Sequence, residues 1–419
     1  MPRLRLAFVI PWYDSDIPGG AENGCRNIAA HLLDFGFDVE ILTTCVKDFF
    51  SNWNNNFHKE GVGAVDGVTV RRFMVKGRDT AGFDRVNYKL MHADMSRIKA
   101  MRACKPDFSP LTPEEEAIYL KEMINSPALY DYIRQSHDSY DFFILVPYMF
   151  GTTYFGSEAC GDKSILFPCL HDESYAYMSV YRKMFSRARG VIFNSASEQR
   201  LAERLYGDIN GTVTGIGVDT DLNPDGRRFM SKYSINGPFI LYVGKKDTCK
   251  NTHLLVEYFC RFKKENRNGL KLVLMGSGNV RIPSGYRKEI IDLGFMEHRD
   301  KFDAYGAALC LCQPSVNESF ALVVMEAWAA RSPVLVHAGC EVTREFCVQN
   351  NGGLYFANYP EFAESVIFLM ENPQVGRKMG MLGCAYVKEN FSWDVVTRKL
   401  VAAIVGLKEN DYRSASAAL

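Results

Sequence analysis

The chain has 419 residues, 47% of them hydrophobic, and its 49 Lys plus Arg are matched by 49 Asp plus Glu. A length well above what one core usually serves predicts two lobes, each with a core of its own. Zero formal charge gives no basic bias toward nucleic acid or any broadly anionic partner, so a positive site must be local.

The apolar run at residues 6–10 follows Arg3 and Arg5, but it stops at Pro11 and is followed by Asp14, Asp16 and Glu22, a poor match to a secretory signal. No stretch reaches the ~18 consecutive apolar residues of a spanning helix. The chain therefore reads as cytosolic, and its twelve cysteines agree with that. They show no CxxC pair, and Cys310 and Cys312 alternate in an apolar run, the pattern of buried thiols rather than of ligands or disulfide partners.

In chain order, RLRLAFVI reads as a strand, GGAENGCRNIAAHLLDFG as a helix closed by Gly36, and DVEILTTC as a second strand. VTVRRFM, DFFILV, SILFPCL and GVIFN are further short β-rich runs, the last leading into a capping box, Ser195 with Glu198, that starts a helix. Between about residues 84 and 135 the pattern is helical only, with Thr112, Pro113 and Glu115 as cap, first-turn proline and box glutamate. That segment reads as an insertion on the first lobe. GIGVDTDLNPDGRR, rich in Gly, Asp and Pro, reads as the linker. Alternation then restarts with PFILYVG, a helix from about Thr252, LKLVLMGSG, AALCLCQPS, a helix over residues 319–331, and PVLVHAG. From Glu361 onward the chain reads as amphipathic helix.

Alternation that runs, pauses and restarts predicts an α/β protein of two doubly wound parallel sheets facing each other. The expected divisions are 1–220, 221–391, and a helix over 392–419 packing back on the first domain. In such sheets ligands sit at the carboxyl ends of strands, which directs attention to an interdomain cleft.

Two segments carry chemistry there. In NESFALVVMEAWAARSPVLVHAG, Glu318 is expected at the helix entrance and Glu326 two turns inside, roughly 12 Å further along at 1.5 Å per residue. The first amides of that helix, around Phe320, Ala321 and Leu322, carry the positive end of the dipole and suit a phosphate. A carboxylate, an anion socket and a second carboxylate suit a nucleotide sugar; the alternative is that Glu318 caps the helix and Glu326 faces water. In PFILYVGKKDTCKN, Lys245, Lys246 and Lys250 follow a buried strand and point toward the expected cleft, where they can neutralise a departing diphosphate. A solvated charge run is the alternative.

The second half resembles the nucleotide-binding lobe of the retaining GT-B glycosyltransferases of family 4. The motifs are a glycine-basic-x(4)-Lys loop, then LMGSG, LGFMEHRDKFDAYGAA, and the Glu-x(7)-Glu segment followed by Pro-Val. PGGAENGCRNIAAHLLDFGFDVEILTT and FNSASEQRLAERLYG…GIGVD resemble the first lobe of the same family. The resemblance implies a GT-B architecture with an acceptor-side first domain and a donor-binding second domain. It implies that Lys245 and Lys250 contact the donor diphosphate, Glu318 the sugar and Glu326 the ribose. Gly20, in the first lobe's loop, would bring its amide near the distal phosphate, and Met296 matches the place where backbone groups meet the base. His171, after the strand SILFPCL, matches the family's histidine and would hydrogen-bond the sugar near the reacting carbon, stabilising the transition state. The sequence departs from the family at two positions. Lys245 stands where arginine is common, turning a bidentate grip into a point charge, and Ala321 stands where glycine is frequent.

The implied reaction is transfer with retention. A retaining hydrolase needs two carboxylates roughly 5 Å apart, whereas Glu318 and Glu326 are too far apart along an intact helix. Front-face transfer follows, the departing phosphate taking the acceptor's proton. Asp14-Ser-Asp16 and Asp219-Thr-Asp221 match the Asp-x-Asp metal pattern, but that pattern is common by chance, and no His or Cys cluster offers a transition-metal site; neither cofactor nor metal is expected. DFFSNWNNNFHK suits stacking on a sugar, a membrane surface or plain loop packing. Lys89, Arg97, Lys99, Arg102 and Lys105, interleaved with Met91, Met95 and Met101, suit anionic lipid or a solvated helix face. The implied acceptor is a bacterial polysaccharide or lipid-linked glycan, with peripheral contact at the inner face of the cell membrane. A nucleotide-sugar epimerase or hydrolase on the same fold, and a non-catalytic glycan- or nucleotide-binding relative, stay open beside this reading.

Overall fold

The computed structural model describes residues 3–17 and 19–417. It divides into two compact units, one of Met1–Gly215 with Thr397–Leu419, the other of Ile216–Val396. Residues 418–419, the end of the expected last helix, lie outside the described residues.

The first unit is built on β1 (Arg5–Val9), β2 (Asp38–Thr44), β3 (Gly61–Val65), β4 (Val68–Phe73), β5 (Phe142–Leu145), β6 (Ser164–Leu166), β7 (Gly190–Phe193) and β8 (Gly211–Val213). They form one sheet in the order β3-β4-β2-β1-β5-β6-β7-β8. Only the β3–β4 pair is antiparallel. The inner strands read as unbroken apolar runs because helices cover both faces: every residue of β5 and β7 is buried. β3 escapes a periodicity reading because it is exposed and carries little apolar pattern. Its signal is the Asp66-Gly67 turn, with φ of 49° and 80°. Val65 pairs with Val68, so these two residues make the tight hairpin that Asp-Gly between β-branched residues favours.

The insertion forms helices Thr80–Met91, Met95–Cys104, Pro113–Glu122 and Pro127–Gln135. The capping box at Thr112 and Glu115 is complete.

The second unit carries β9 (Phe239–Val243), β10 (Lys271–Met275), β11 (Ile290–Asp292), β12 (Cys310–Gln313), β13 (Val334–His337) and β14 (Gly353–Phe356). Their order is β11-β10-β9-β12-β13-β14, and all pairs are parallel. Cys310 and Cys312 are fully buried free thiols on β12. Two expectations are corrected here. The end of the Gly-Asp-Pro linker is helical: Asp225 caps Gly226–Lys232. The expected helix over 319–331 runs only from Leu322 to Ala329, because Ala321 sits in the left-handed region with φ 64° and ψ 67° and the chain cannot propagate a right-handed helix through it.

The helix Gly226–Lys232 is tied to His298–Ala307 by charge. Arg228 reaches Asp300 and Asp303, both at 2.5 Å, and Lys232 and Tyr233 each reach Asp300 at 2.7 Å. Burial would raise the Asp300 carboxyl, but Lys232, Tyr233 and Arg228 hold it down to about 2. Asp300→Ala is therefore expected to lower the unfolding free energy of the second unit by about 3 kcal/mol in urea denaturation. Because the folded-state pKa lies below the unfolded one, the Asp300 contribution is complete above about pH 4 and is lost as pH falls toward 2. That part of the acid destabilisation should be missing from the variant.

Candidate functional site

In the second sheet the strand order reverses between β9 and β12, so the loops after these two strands meet where open α/β sheets bind ligands. The loop after β9 is braced from below and from the side. The buried Tyr242 hydroxyl donates to the Lys245 carbonyl at 2.6 Å and accepts from Thr252 Oγ1 at 3.1 Å. On the other flank the loop is zipped to the one after β10: Gly244 N donates to Met275 O at 3.0 Å and Lys246 N to Ser277 O at 2.8 Å. A Cβ on Gly276, whose φ is 123°, would lie 2.0 Å from the Gly244 carbonyl oxygen. LMGSG thus needs its first glycine for close backbone approach.

Lys250 and Glu318 come together across the switch point. Lys250 Nζ lies 2.7 Å from Glu318 Oε1, and Gln313 Nε2 donates to the same oxygen at 3.2 Å. Among the described residues no donor reaches Glu318 Oε2. The side chains are 30% and 8% exposed. Burial works against the Lys250 ammonium, but the Glu318 carboxylate in contact outweighs it and the pKa of the amine is raised. Asn251 Nδ2 donates to the Pro314 carbonyl at 3.1 Å, fastening one loop to the other. The arrangement offers a cation, an acceptor-only oxygen and, close in sequence, the start of the helix Leu322–Ala329, where Val324 N is already taken by the Ala321 carbonyl at 2.9 Å.

The remaining second-unit residues are placed as follows. Lys245 stays half exposed and pairs with Asp247 at 2.8 Å in its own loop. Lys246, expected to point toward the cleft with its neighbours, is buried instead: it is 3% exposed and meets Asp292 at 2.5 Å, because its backbone is committed to the β10 loop. Glu318 lies in the loop before the helix rather than at its entrance, so the 12 Å helical rise does not describe its separation from Glu326. Phe320 and Ala321 precede the helix, and Leu322 alone of the three is in its first turn. The Phe320 ring is core, edge-on to Phe391 at 5.0 Å and Phe346 at 5.8 Å. Glu326 pairs with Lys301 at 2.7 Å and accepts from the Tyr305 hydroxyl at 3.0 Å. Met296 is half-buried in the turn after β11, where Gly294 has φ 68° and its carbonyl accepts from Gly276 N at 2.7 Å.

In the first unit, Gly20 is the first residue of the helix Gly20–Asp34 rather than a loop residue. A Cβ there would meet nothing within 4 Å, so packing does not demand glycine. His171 follows β6 on a turn entered through Cys169, which has φ 51°. The turn is held by Glu198, whose sequence pattern marks it only as part of a helix cap. Its fully buried carboxylate accepts from Leu170 N at 2.5 Å and Asn194 N at 2.6 Å, while Ser195 Oγ caps the Glu198 amide. Burial pushes the Glu198 carboxyl up to about 8, with the amide hydrogen bonds opposing it. His171 Nδ1 lies 3.7 Å from Glu173 Oε1. Asp14 of the Asp-x-Asp decoy faces His58 at 3.7 Å and Arg72 at 4.0 Å. Of the five basic residues named above in the insertion, Lys89 pairs with Glu115, Lys99 with Asp172 at 2.8 Å, and Arg102 donates to the Phe108 and Leu205 carbonyls. No helix among the described residues is long and apolar enough to cross a membrane.

Comparison with known proteins agrees with this geometry. Residues 227–381 match the family described as Glycosyl transferases group 1. An uncharacterized glycosyltransferase of Methanocaldococcus jannaschii is 25% identical over 221 residues, 50% of this chain and 55% of that protein. The chain spans about half the length of the curated relatives it matches. Among solved structures, Anabaena HepE in complex with UDP and glucose superposes with a TM-score of 0.66 at 14% identity, covering 96% of this chain and all of that one. Sucrose-phosphate synthase from Thermosynechococcus elongatus gives 0.68 at 15% identity, covering both chains completely. The fold is thus that of the GT-B glycosyltransferases, two Rossmann-like units each on a parallel sheet.

The left-handed Ala321 leads to a prediction about the anion socket. Ala321→Gly removes a Cβ from a conformation that costs L-residues roughly 1–2 kcal/mol and adds back part of that in unfolded-chain entropy. The variant is expected to be more stable by roughly 0.5–1 kcal/mol, measured by urea denaturation.

Proposed function

We propose that the chain is a retaining glycosyltransferase of the family 4 type. It moves a sugar from a UDP- or GDP-linked donor to a saccharide or lipid-linked saccharide acceptor, of the kind used in bacterial surface polysaccharide. The observation that carries this reading is the Lys250–Glu318 pair at the β9/β12 switch point, with no donor on Glu318 Oε2 among the described residues and the helix Leu322–Ala329 starting four residues after Glu318. The group 1 match over residues 227–381 supports it.

On this reading the diphosphate is met by Lys250, Lys245 and the amides near Leu322. These groups hold positive charge where the leaving group develops negative charge, without reorganising during the reaction. Glu318 Oε2 accepts from a sugar hydroxyl, and Glu326 from the ribose. Front-face departure leaves the bridging phosphate oxygen to take the acceptor's proton, so no protein carboxylate has to act as nucleophile. His171 is assigned a hydrogen bond to the transferred sugar, and Gly20 N one to the distal phosphate. The ammonium groups and amides supply the charge that a divalent metal supplies in other architectures, so transfer is read as metal-independent.

The test is a donor panel followed by a transfer assay. A nucleoside diphosphate at a hundredfold its dissociation constant should stabilise the chain by about 2.7 kcal/mol, with chelator present. Transfer should fall at least about a hundredfold in Lys250→Ala and Glu318→Ala, and it should survive EDTA. Donor breakdown at full rate without any acceptor would instead favour the hydrolase or epimerase reading, and binding without turnover across donors and acceptors the non-catalytic one.

A further inference from the structure

Gln313 closes β12, whose other residues, Cys310, Leu311 and Cys312, are fully buried and apolar in character. It is itself 3% exposed. Its Nε2 donates to Glu318 Oε1 at 3.2 Å, the oxygen that Lys250 reaches at 2.7 Å, while its own Oε1 is buried with no hydrogen-bond partner among the described residues. A half-satisfied amide is a poor choice for a core position, because the orphaned acceptor has been stripped of water without compensation. A leucine or methionine there would serve packing better. The useful half of the amide is the half on Glu318. Two donors on one oxygen fix the carboxylate's orientation and leave Oε2 as an acceptor with no donor on it among the described residues.

We propose that Gln313 is a positioning residue for sugar recognition: it holds Glu318 by Oε1 so that Oε2 stays presented to a hydroxyl of the transferred sugar. This inference rests on the donor-binding reading of Lys250 and Glu318 and deepens it. A diphosphate competes with Glu318 for the Lys250 ammonium, since both are anions in reach of one cation. When the phosphate draws Lys250 away, Gln313 is the side-chain donor that remains on Glu318. The neutral amide therefore acts on the sugar part of the donor and leaves the phosphate part to the lysines.

Calorimetric titration of the full chain separates the two parts. The probes are UDP, GDP, UDP-glucose, UDP-galactose, UDP-N-acetylglucosamine and GDP-mannose. Gln313→Leu should bind the nucleoside diphosphate within about twofold of the unmodified chain and the matching nucleotide sugar about tenfold more weakly, the loss of one hydrogen bond to a charged group. Gln313→Glu, of nearly the same shape, sets a second carboxyl against Glu318 Oε1, so the pair shares a proton. Its nucleotide-sugar affinity should fall with rising pH more steeply than that of the unmodified chain, a change that a merely structural glutamine would not produce. Unchanged nucleotide-sugar binding in Gln313→Leu overturns the inference, as does an equal loss for nucleoside diphosphate and nucleotide sugar, or a pH profile in Gln313→Glu parallel to the unmodified one. Failure of the unmodified chain to bind any of the six probes overturns the donor-binding reading itself, and this inference with it.

Discussion

The ion pair between Lys250 and Glu318 is the contact on which the organisation of the second unit's site depends. One partner comes from the loop after β9 and the other from the loop after β12, and the sheet order makes these strands adjacent where the connectivity reverses. Neither residue is fully exposed, so the pair is screened less by solvent than a surface salt bridge. It is also not sealed in the core, where desolvation would rival the attraction. The site is thus electrically balanced as it stands, one ammonium set against one carboxylate, rather than carrying surplus positive charge. The zero net charge of the chain and the local placement of its lysines are consistent with that design.

Much of this is legible in the sequence because the constraints involved are local or periodic. Buried parallel strands announce themselves as apolar runs, and a lysine or glutamate a few residues past such a run is at the strand's carboxyl end whatever the tertiary details. Lys250 and Glu318 are assigned to one site on that ground alone. Lys246 is not so readable. Its side-chain direction follows from a backbone bridge to Gly278 and from Asp292 on another strand, and neither leaves a mark at positions 245–250. The helix after Glu318 starts three residues later than its apolar pattern indicates, because the left-handed turn at Ala321 is set by how the loop descends onto the sheet and not by helix propensity. Gln313 is hidden for a similar reason: at the end of an apolar run a glutamine reads as the first polar loop residue, and only its burial and half-satisfied amide distinguish it. The β3–β4 hairpin is a different case. Its Asp-Gly turn is written in the sequence, but the strand before it lacks the alternation by which a half-buried strand is recognised.

The insertion shows how composition and packing diverge within one segment. Basic residues interleaved with methionines suggest a face for lipid, and Met91 and Met101 are indeed exposed. Yet most of the cations are spent inside the first unit, and several of the contacts converge on the segment that follows His171. Lys99 meets Asp172, Ser174 Oγ donates to the Leu90 carbonyl at 2.6 Å, the Tyr175 hydroxyl donates to Asn87 Oδ1 at 2.7 Å, and Glu116 accepts from both the amide and the hydroxyl of Ser179 at 2.6 Å. Glu116 is 1% exposed, so its two oxygens are committed to this docking and to Ser109, which donates to it at 2.6 Å.

On the near side of His171 the buried Glu198 holds Leu170 by its amide; on the far side three groups converge on Asp172, namely Lys99, Arg204 at 3.5 Å and the Tyr177 hydroxyl at 2.8 Å. A histidine on an unsupported loop would sample many orientations, whereas contacts on both sides of His171 hold its turn in place. The helices between β4 and β5 therefore serve the fold as a buttress for that turn, whatever their outer face meets. These polar contacts add to an apolar face, since Phe83, Val86, Leu90, Ile98, Leu120 and Leu129 of the same segment are buried in the first unit's core.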